Sequence, residues 1–148
     1  MKELQEVDFQ KLDNQLCFPL YAASRLITKC YQPLLKDFEL TYPQYLVLMV
    51  LWEQDKVPLN YLSEKLYLQS NTLTPLVKRM EEMQLVTRQR SKEDERSVLI
   101  SLTEKGQSLK CEAKEVPTQL VANFDKMTTE ELKLLHQLLY KLIGNFEE

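Results

Sequence analysis

The sequence predicts a mainly α-helical chain with one small β-hairpin. Three observations carry that reading. Apolar residues recur at three- and four-residue spacings along most of the 148 residues. Strand-type composition is confined to two short runs, Val86–Arg90 and Val98–Leu102, on either side of the charged turn Ser91–Ser97. Helix-start signals of the form Thr-x-x-Gln or Thr-x-x-Glu precede two of the periodic segments.

The first helix is expected over 12–31, where Leu16, Leu20, Ala23 and Ile27 keep a helical spacing. Pro33 should stop it near Tyr31, and Pro19 should kink or restart it beside Cys17. Thr41 and Gln44 form a capping box, with Pro43 tolerated in the first turn. The helix that follows runs through Trp52. It is apolar on nearly every face from Tyr45 onward, so it should be central and buried. Pro58 opens a short helix with Leu59, Leu62 and Leu66 on one side. Ser70 or Asn71 caps the next, whose inward stripe is Leu73, Leu76, Val77 and Met80. After the hairpin, Thr103 caps a long helix that passes Cys111 and breaks or kinks at Pro117. Thr128 and Glu131 form a second capping box, before a last helix striped with Leu132, Leu135, Leu139, Leu142 and Ile143. The apolar stripes at the two chain ends exceed what one small core could cover. They call for a second copy, giving a symmetric homodimer.

Composition excludes several classes. Apolar residues make up 44% and charged residues 28%, a globular balance rather than a disordered one. Only two glycines are present, so there is no Gly-rich phosphate loop and no dinucleotide fingerprint. One histidine and three scattered cysteines offer no zinc cluster and no obvious catalytic array. Neither cofactor nor catalytic residue is therefore expected. The N-terminus lacks an apolar signal region, and the longest apolar run, Tyr45–Trp52, is too short to span a bilayer. The expected location is the cytoplasm, with Cys17, Cys30 and Cys111 as reduced thiols.

The middle third reads as helix, turn, helix, hairpin: a helix-turn-helix with a wing. Such a second helix fits the major groove of DNA and reads base edges with its N-terminal residues. Here those residues are Ser70, Asn71, Thr72 and Thr74, followed by Pro75, with Lys78 and Arg79 further along where phosphates would lie. The wing supplies Arg88, Arg90, Lys92 and Arg96, and a narrow minor groove attracts inserted arginine. The chain carries a net charge of −3, yet residues 70–96 hold six Lys/Arg against five Asp/Glu, a local +1. A DNA site is therefore a local patch.

Particular residues also resemble the MarR family of winged-helix repressors, over nearly the full length. They are Asn14-Gln15-Leu16-Cys17-Phe18, Tyr21–Arg25, Leu40–Tyr45, Thr72–Leu76 with Lys78–Glu81, and Arg90–Thr103 with its Asp94-Glu95-Arg96 wing. The setting of Cys17 is similar to the organic hydroperoxide sensors within that family. The resemblance implies a homodimer on a pseudo-palindromic double-stranded operator. It implies dimerisation helices in 1–33 and 106–148 around a DNA-binding domain at 34–105. Asp94 would orient the tip residue Arg96. Cys17 would be the sensing thiol, hydrogen-bonded by Tyr31 and Tyr42 from the partner subunit, with an organic hydroperoxide as inducer. A thiolate is the species that attacks a peroxide, so the site must favour it. A one-cysteine sensor would then pass its oxidised sulfur to a small external thiol, as a mixed disulfide. The alternative is a repressor released by a small aromatic ligand, with the cysteines incidental.

Overall fold

The computed structural model describes residues 7–148, and its elements follow the sequence closely. A single 3-10 turn, Leu12–Asn14, precedes α1 (Cys17–Leu35). The predicted start at Leu12 and stop at Tyr31 are both corrected. Pro19 is the third helical residue, where the missing N–H had no partner to lose. Pro33 falls in the last turn and removes only one backbone bond. The helix continues past it because Leu35 at its end is fully buried. Glu39, at φ 56°, then turns the chain.

Helix α2 (Tyr42–Glu53) begins with the predicted capping box. The Gln44 N–H donates to Thr41 Oγ at 3.4 Å, and the Thr41 N–H donates to Gln44 Oε1 at 3.0 Å. Tyr45, Val47, Leu48 and Leu51 of α2 are buried, as expected of a central helix. Strand β1 (Val57–Pro58) leads directly into α3 (Leu59–Leu66), for which Pro58 is the N-cap. Tyr67 ends α3 in the left-handed region, and Ser63 Oγ bridges the turn to the Leu68 carbonyl.

Helix α4 spans Ser70–Glu82. Its N-cap is Gln69, with no side-chain cap bond, so the predicted cap at Ser70 or Asn71 is corrected by one residue. Extended backbone at Gln69 suffices to start the helix, which frees the Ser70 side chain. Leu73, Val77 and Met80 face the core as predicted, and Leu76 packs at its edge.

Strands β2 (Val86–Arg90) and β3 (Val98–Leu102) form the hairpin at its predicted bounds, in register Val86↔Leu102 to Arg90↔Val98. The hairpin is widened by β1, which pairs with β3 through Val57↔Ile100, giving the order β1-β3-β2. Two residues are too few for any alternation to show in the sequence, so this third strand was not foreseen.

Helix α5 (Glu104–Glu112) starts at Thr103, whose Oγ accepts the Gly106 N–H at 3.0 Å. It is shorter than predicted. The break falls at 113–115, and Pro117 sits in the first turn of α6 (Val116–Val121). The main core joins Leu35, Leu48, Leu51, Leu62, Leu73, Met80, Leu85 and Ile100, with Leu109, Ala113 and Val116 from the α5 end. Each large side chain buried this way contributes about 1.5–3 kcal/mol relative to exposure. Among the described residues no buried side-chain nitrogen or oxygen lacks a hydrogen-bond partner.

This compact unit closes at Val116, and a second runs from Pro117 to Glu148. In the second, α7 (Thr129–Ile143) carries the predicted Thr128/Glu131 capping box, with bonds of 2.8 and 3.1 Å. Leu134, Leu135, Leu138 and Tyr140 of α7 are exposed. Among the described residues no helix is long and apolar enough to cross a membrane.

Candidate nucleic-acid interface and redox site

At about 100° per residue, Ser70, Asn71, Thr74 and Lys78 fall within one arc of about 100° on α4, beside its buried stripe of Leu73, Val77 and Met80. Ser70, Asn71, Lys78 and the flanking Thr72, Pro75 and Arg79 are exposed, while Thr74 is half-buried with its Oγ donating to the Ser70 carbonyl at 2.8 Å. The face is built of short polar side chains at the helix start and cations toward its end. That is the order expected of a helix end-on in a groove.

The wing loop is held by its own backbone. The Ser91 N–H donates to the Ser97 carbonyl at 2.8 Å, and the Ser97 N–H donates to the Asp94 carbonyl at 3.0 Å. Asp94 Oδ1 accepts the backbone N–H of Arg96 at 3.0 Å. Asp94 thus shapes the loop at Arg96 through the main chain rather than through the guanidinium. Arg90, Lys92, Asp94 and Arg96 are all exposed. A cleft of about 300 Å3, lined by Asn60, Ser70, Asp94, Arg96 and Ser97, joins the start of α4 to the wing tip.

Arg88 is placed differently from its wing neighbours. It is half-buried, its Nε lies 3.2 Å from Glu81 Oε1, and its backbone N–H donates to Glu81 Oε2 at 2.9 Å. Sequence reasoning missed Glu81, because nothing in a seven-residue separation across a turn marks such a pair. It also missed Asp55, whose Oδ1 accepts the Leu102 N–H at 2.8 Å and ties the end of β3 to the loop before β1.

The predicted redox residues divide into two places. Cys17 is a free, exposed thiol at the first residue of α1. Tyr31 and Tyr42 stack with ring centroids 4.4 Å apart, and Tyr45 lies 5.9 Å from Tyr31. Fourteen residues of helix separate Cys17 from Tyr31, about 21 Å of rise. Within one chain the thiol and the tyrosine pair do not meet. Cys30 is half-buried on the same helix, and Cys111 is exposed at the end of α5.

Burial, reinforced by the neighbouring Tyr42 and Tyr45, pushes the Tyr31 phenol up to about 12. Burial also raises Tyr42 and Tyr45, with hydrogen bonding to Tyr31 acting the other way on Tyr42. Tyr31 is therefore a neutral hydrogen-bond donor at physiological pH. Above pH 10 an unfolded chain releases this proton while the folded chain keeps it, so the fold loses stability from pH 10 to about 12. Tyr31→Phe should flatten the stability profile over that window, as read by urea denaturation at stepped pH. An unchanged alkaline slope would sink this account of Tyr31.

A helix pair ending in an exposed polar helix, flanked by a three-stranded wing, defines a winged-helix DNA-binding regulator. The family model described as the transcriptional regulator SarA/Rot matches residues 29–113. An organic hydroperoxide resistance transcriptional regulator of Bacillus subtilis is 53% identical, over 95% of either chain. The structure of reduced AbfR bound to DNA is 37% identical, covers 99% of this chain and 100% of its own, and superposes with a TM-score of 0.80. Disulfide-formed AbfR is 39% identical over 97% of each chain, with a TM-score of 0.66. The chain belongs to the SarA/Rot family of transcriptional regulators, of the MarR winged-helix type.

Proposed function

We propose that this protein is a transcriptional repressor that leaves its operator when an organic hydroperoxide oxidises Cys17. The observation that carries this is the free, exposed Cys17 heading α1, in a chain 53% identical to an organic hydroperoxide resistance regulator. The DNA-bound and disulfide-formed structures of AbfR support the same reading.

The working unit is a homodimer on a pseudo-palindromic duplex, acting in the cytoplasm. Residues 34–105 contact DNA, and 1–33 with 106–148 pair the subunits. The exposed leucines of α1 and α7 supply apolar surface for that pairing. Ser70, Asn71, Thr72, Thr74 and Pro75 approach base edges, and Lys78 and Arg79 approach phosphates. Arg90, Lys92 and Arg96 follow the backbone and minor groove, with Asp94 shaping the loop that presents Arg96.

In the dimer Cys17 of one subunit meets the partner subunit's Tyr31 and the partner subunit's Tyr42. The 21 Å or so between Cys17 and Tyr31 along one helix makes a second chain necessary for that contact. The thiolate attacks the terminal peroxide oxygen, giving a sulfenic acid and an alcohol once a proton is taken up. A small thiol then condenses with the sulfenic acid, releasing water and leaving a mixed disulfide. Neither product reproduces the thiolate's hydrogen bonds to the phenols. The dimer helices shift, and the two α4 helices lose their groove spacing.

Fluorescence anisotropy tests this on duplexes tiled from the region upstream of the protein's own gene, at fixed salt. Reduced protein should bind, and one equivalent of cumene hydroperoxide should release it. Binding that survives the oxidant would sink the redox half of the proposal. Arg96→Ala should weaken binding and lower the slope of log affinity against log salt by about one. An unchanged slope would remove Arg96 from the phosphate contacts.

A further inference from the structure

We propose that Glu81 is a positioning residue that fixes the wing to the recognition helix, and that Arg88 acts through Glu81 rather than on DNA. This rests on the DNA-binding reading and deepens it.

Both oxygens of one carboxylate are committed to one residue of β2. Oε2 accepts the Arg88 backbone N–H at 2.9 Å, and Oε1 faces Arg88 Nε at 3.2 Å. Strand β2 is the outer strand of the order β1-β3-β2, so among the described residues its far edge has no strand to bond. Glu81 takes an N–H on that edge. It thereby joins the last turn of α4 to the middle of β2, where Arg88 pairs with Ile100. Elsewhere the hairpin is tied on its β3 side, by β1 and by Asp55 at Leu102, so Glu81 supplies the tie on the β2 side. A charge-assisted clamp made through main chain and side chain fixes an angle.

Position on the helix adds a second consequence. Glu81 lies within about 20° of Ser70 around α4, on the face that carries Thr74 and Lys78. An unpaired carboxylate on that face would repel phosphates. Pairing with Arg88 neutralises it, and the same pairing spends the Arg88 charge. A phosphate drawn to Arg88 would have to approach Glu81 as well.

The test uses the full chain and the duplex that wild-type protein enriches from a randomised pool, with a scrambled duplex as the non-specific control. Binding is measured at several salt concentrations for wild type, Arg88→Met, Glu81→Ala and Glu81→Gln. Under the proposal Arg88→Met and Glu81→Ala each weaken the selected duplex about tenfold. For Glu81→Ala the scrambled duplex is affected much less, and the salt slope of Arg88→Met matches wild type. Glu81→Gln, which keeps an acceptor for the Arg88 N–H, recovers part of the loss. A salt slope lower by about one in Arg88→Met would make Arg88 a phosphate contact and overturn the proposal. So would tighter or unchanged binding in Glu81→Ala. Should Glu81→Ala fail to fold, Glu81→Gln decides alone: weaker binding to the selected duplex supports the clamp, and tighter binding overturns it. Wild-type protein that enriches no duplex would instead refute the DNA-binding reading itself.

Discussion

Cys17→Ser protein should hold DNA as tightly as reduced wild type and keep holding it after hydroperoxide is added. Wild type should lose on the order of 100-fold in affinity under the same treatment, the upper range of a coupling between two sites. The substitution is nearly isosteric and sits on an exposed first helical turn, so folding is not at stake. What changes is chemistry. A serine hydroxyl is neither ionised nor oxidised under conditions that convert a thiolate to sulfenic acid. Cys30→Ser and Cys111→Ser are the matched controls, since both thiols are free in the fold. Both should respond like wild type. Release by Cys17→Ser would transfer the sensing role to another group. Mass spectrometry of the treated wild type checks the same point: oxygen or a small thiol should be found on the Cys17 peptide. A Cys17–Cys111 bridge would replace the external thiol with an internal one.

The second large effect is on stability. Gly106→Ala should lower it by about 3 kcal/mol, although alanine is the better helix former by about 1 kcal/mol. A Cβ at Gly106 would clash with the Leu85 carbonyl oxygen and lie 3.1 Å from Leu102 Cδ2. The first of these is main chain and cannot swing aside. Leu85 O also accepts the Thr103 N–H at 3.0 Å, and the Gly106 carbonyl accepts Trp52 Nε1–H at 3.0 Å. Relieving the clash therefore lifts the start of α5 off the turn after α4 and strains several bonds together. Thermal unfolding followed by circular dichroism should show a midpoint lower by about 10 °C, at a few degrees per kcal/mol for a chain of this size. A midpoint within a degree or two of wild type would mean that α5 seats in another way.

Much of the architecture was legible because it is local. The Thr41/Gln44 and Thr128/Glu131 boxes are written in four consecutive residues each, and the hairpin in two β-rich runs around a charged turn. What escaped depends on residues far apart in sequence. Leu102 meeting Asp55, Ile100 pairing with Val57 and Gly106 meeting Leu85 are products of packing, and no local pattern announces them. Pro33 misled for the converse reason: a local stop signal yielded to the burial of Leu35. The site divides in the same way. The exposed face of α4 follows from helical periodicity. The role of Glu81 does not, because its partner comes from another element. Cys17 stood out only through the resemblance of its surroundings, since periodicity treats an exposed cysteine like any other small residue.

The seating of Trp52 has an optical consequence. It is the only tryptophan in the chain, its indole N–H is bound to the Gly106 carbonyl, and Tyr45 meets it edge-on at 6.1 Å. Tyr45 in turn neighbours Tyr31, which stacks on Tyr42. Light absorbed by these phenols passes to the indole by dipolar energy transfer, so one emission band gathers the state of the tyrosine cluster and of the α2–α5 contact. The protein carries its own fluorophore between the tyrosine cluster and α5, so a change at either can be timed without attaching a dye.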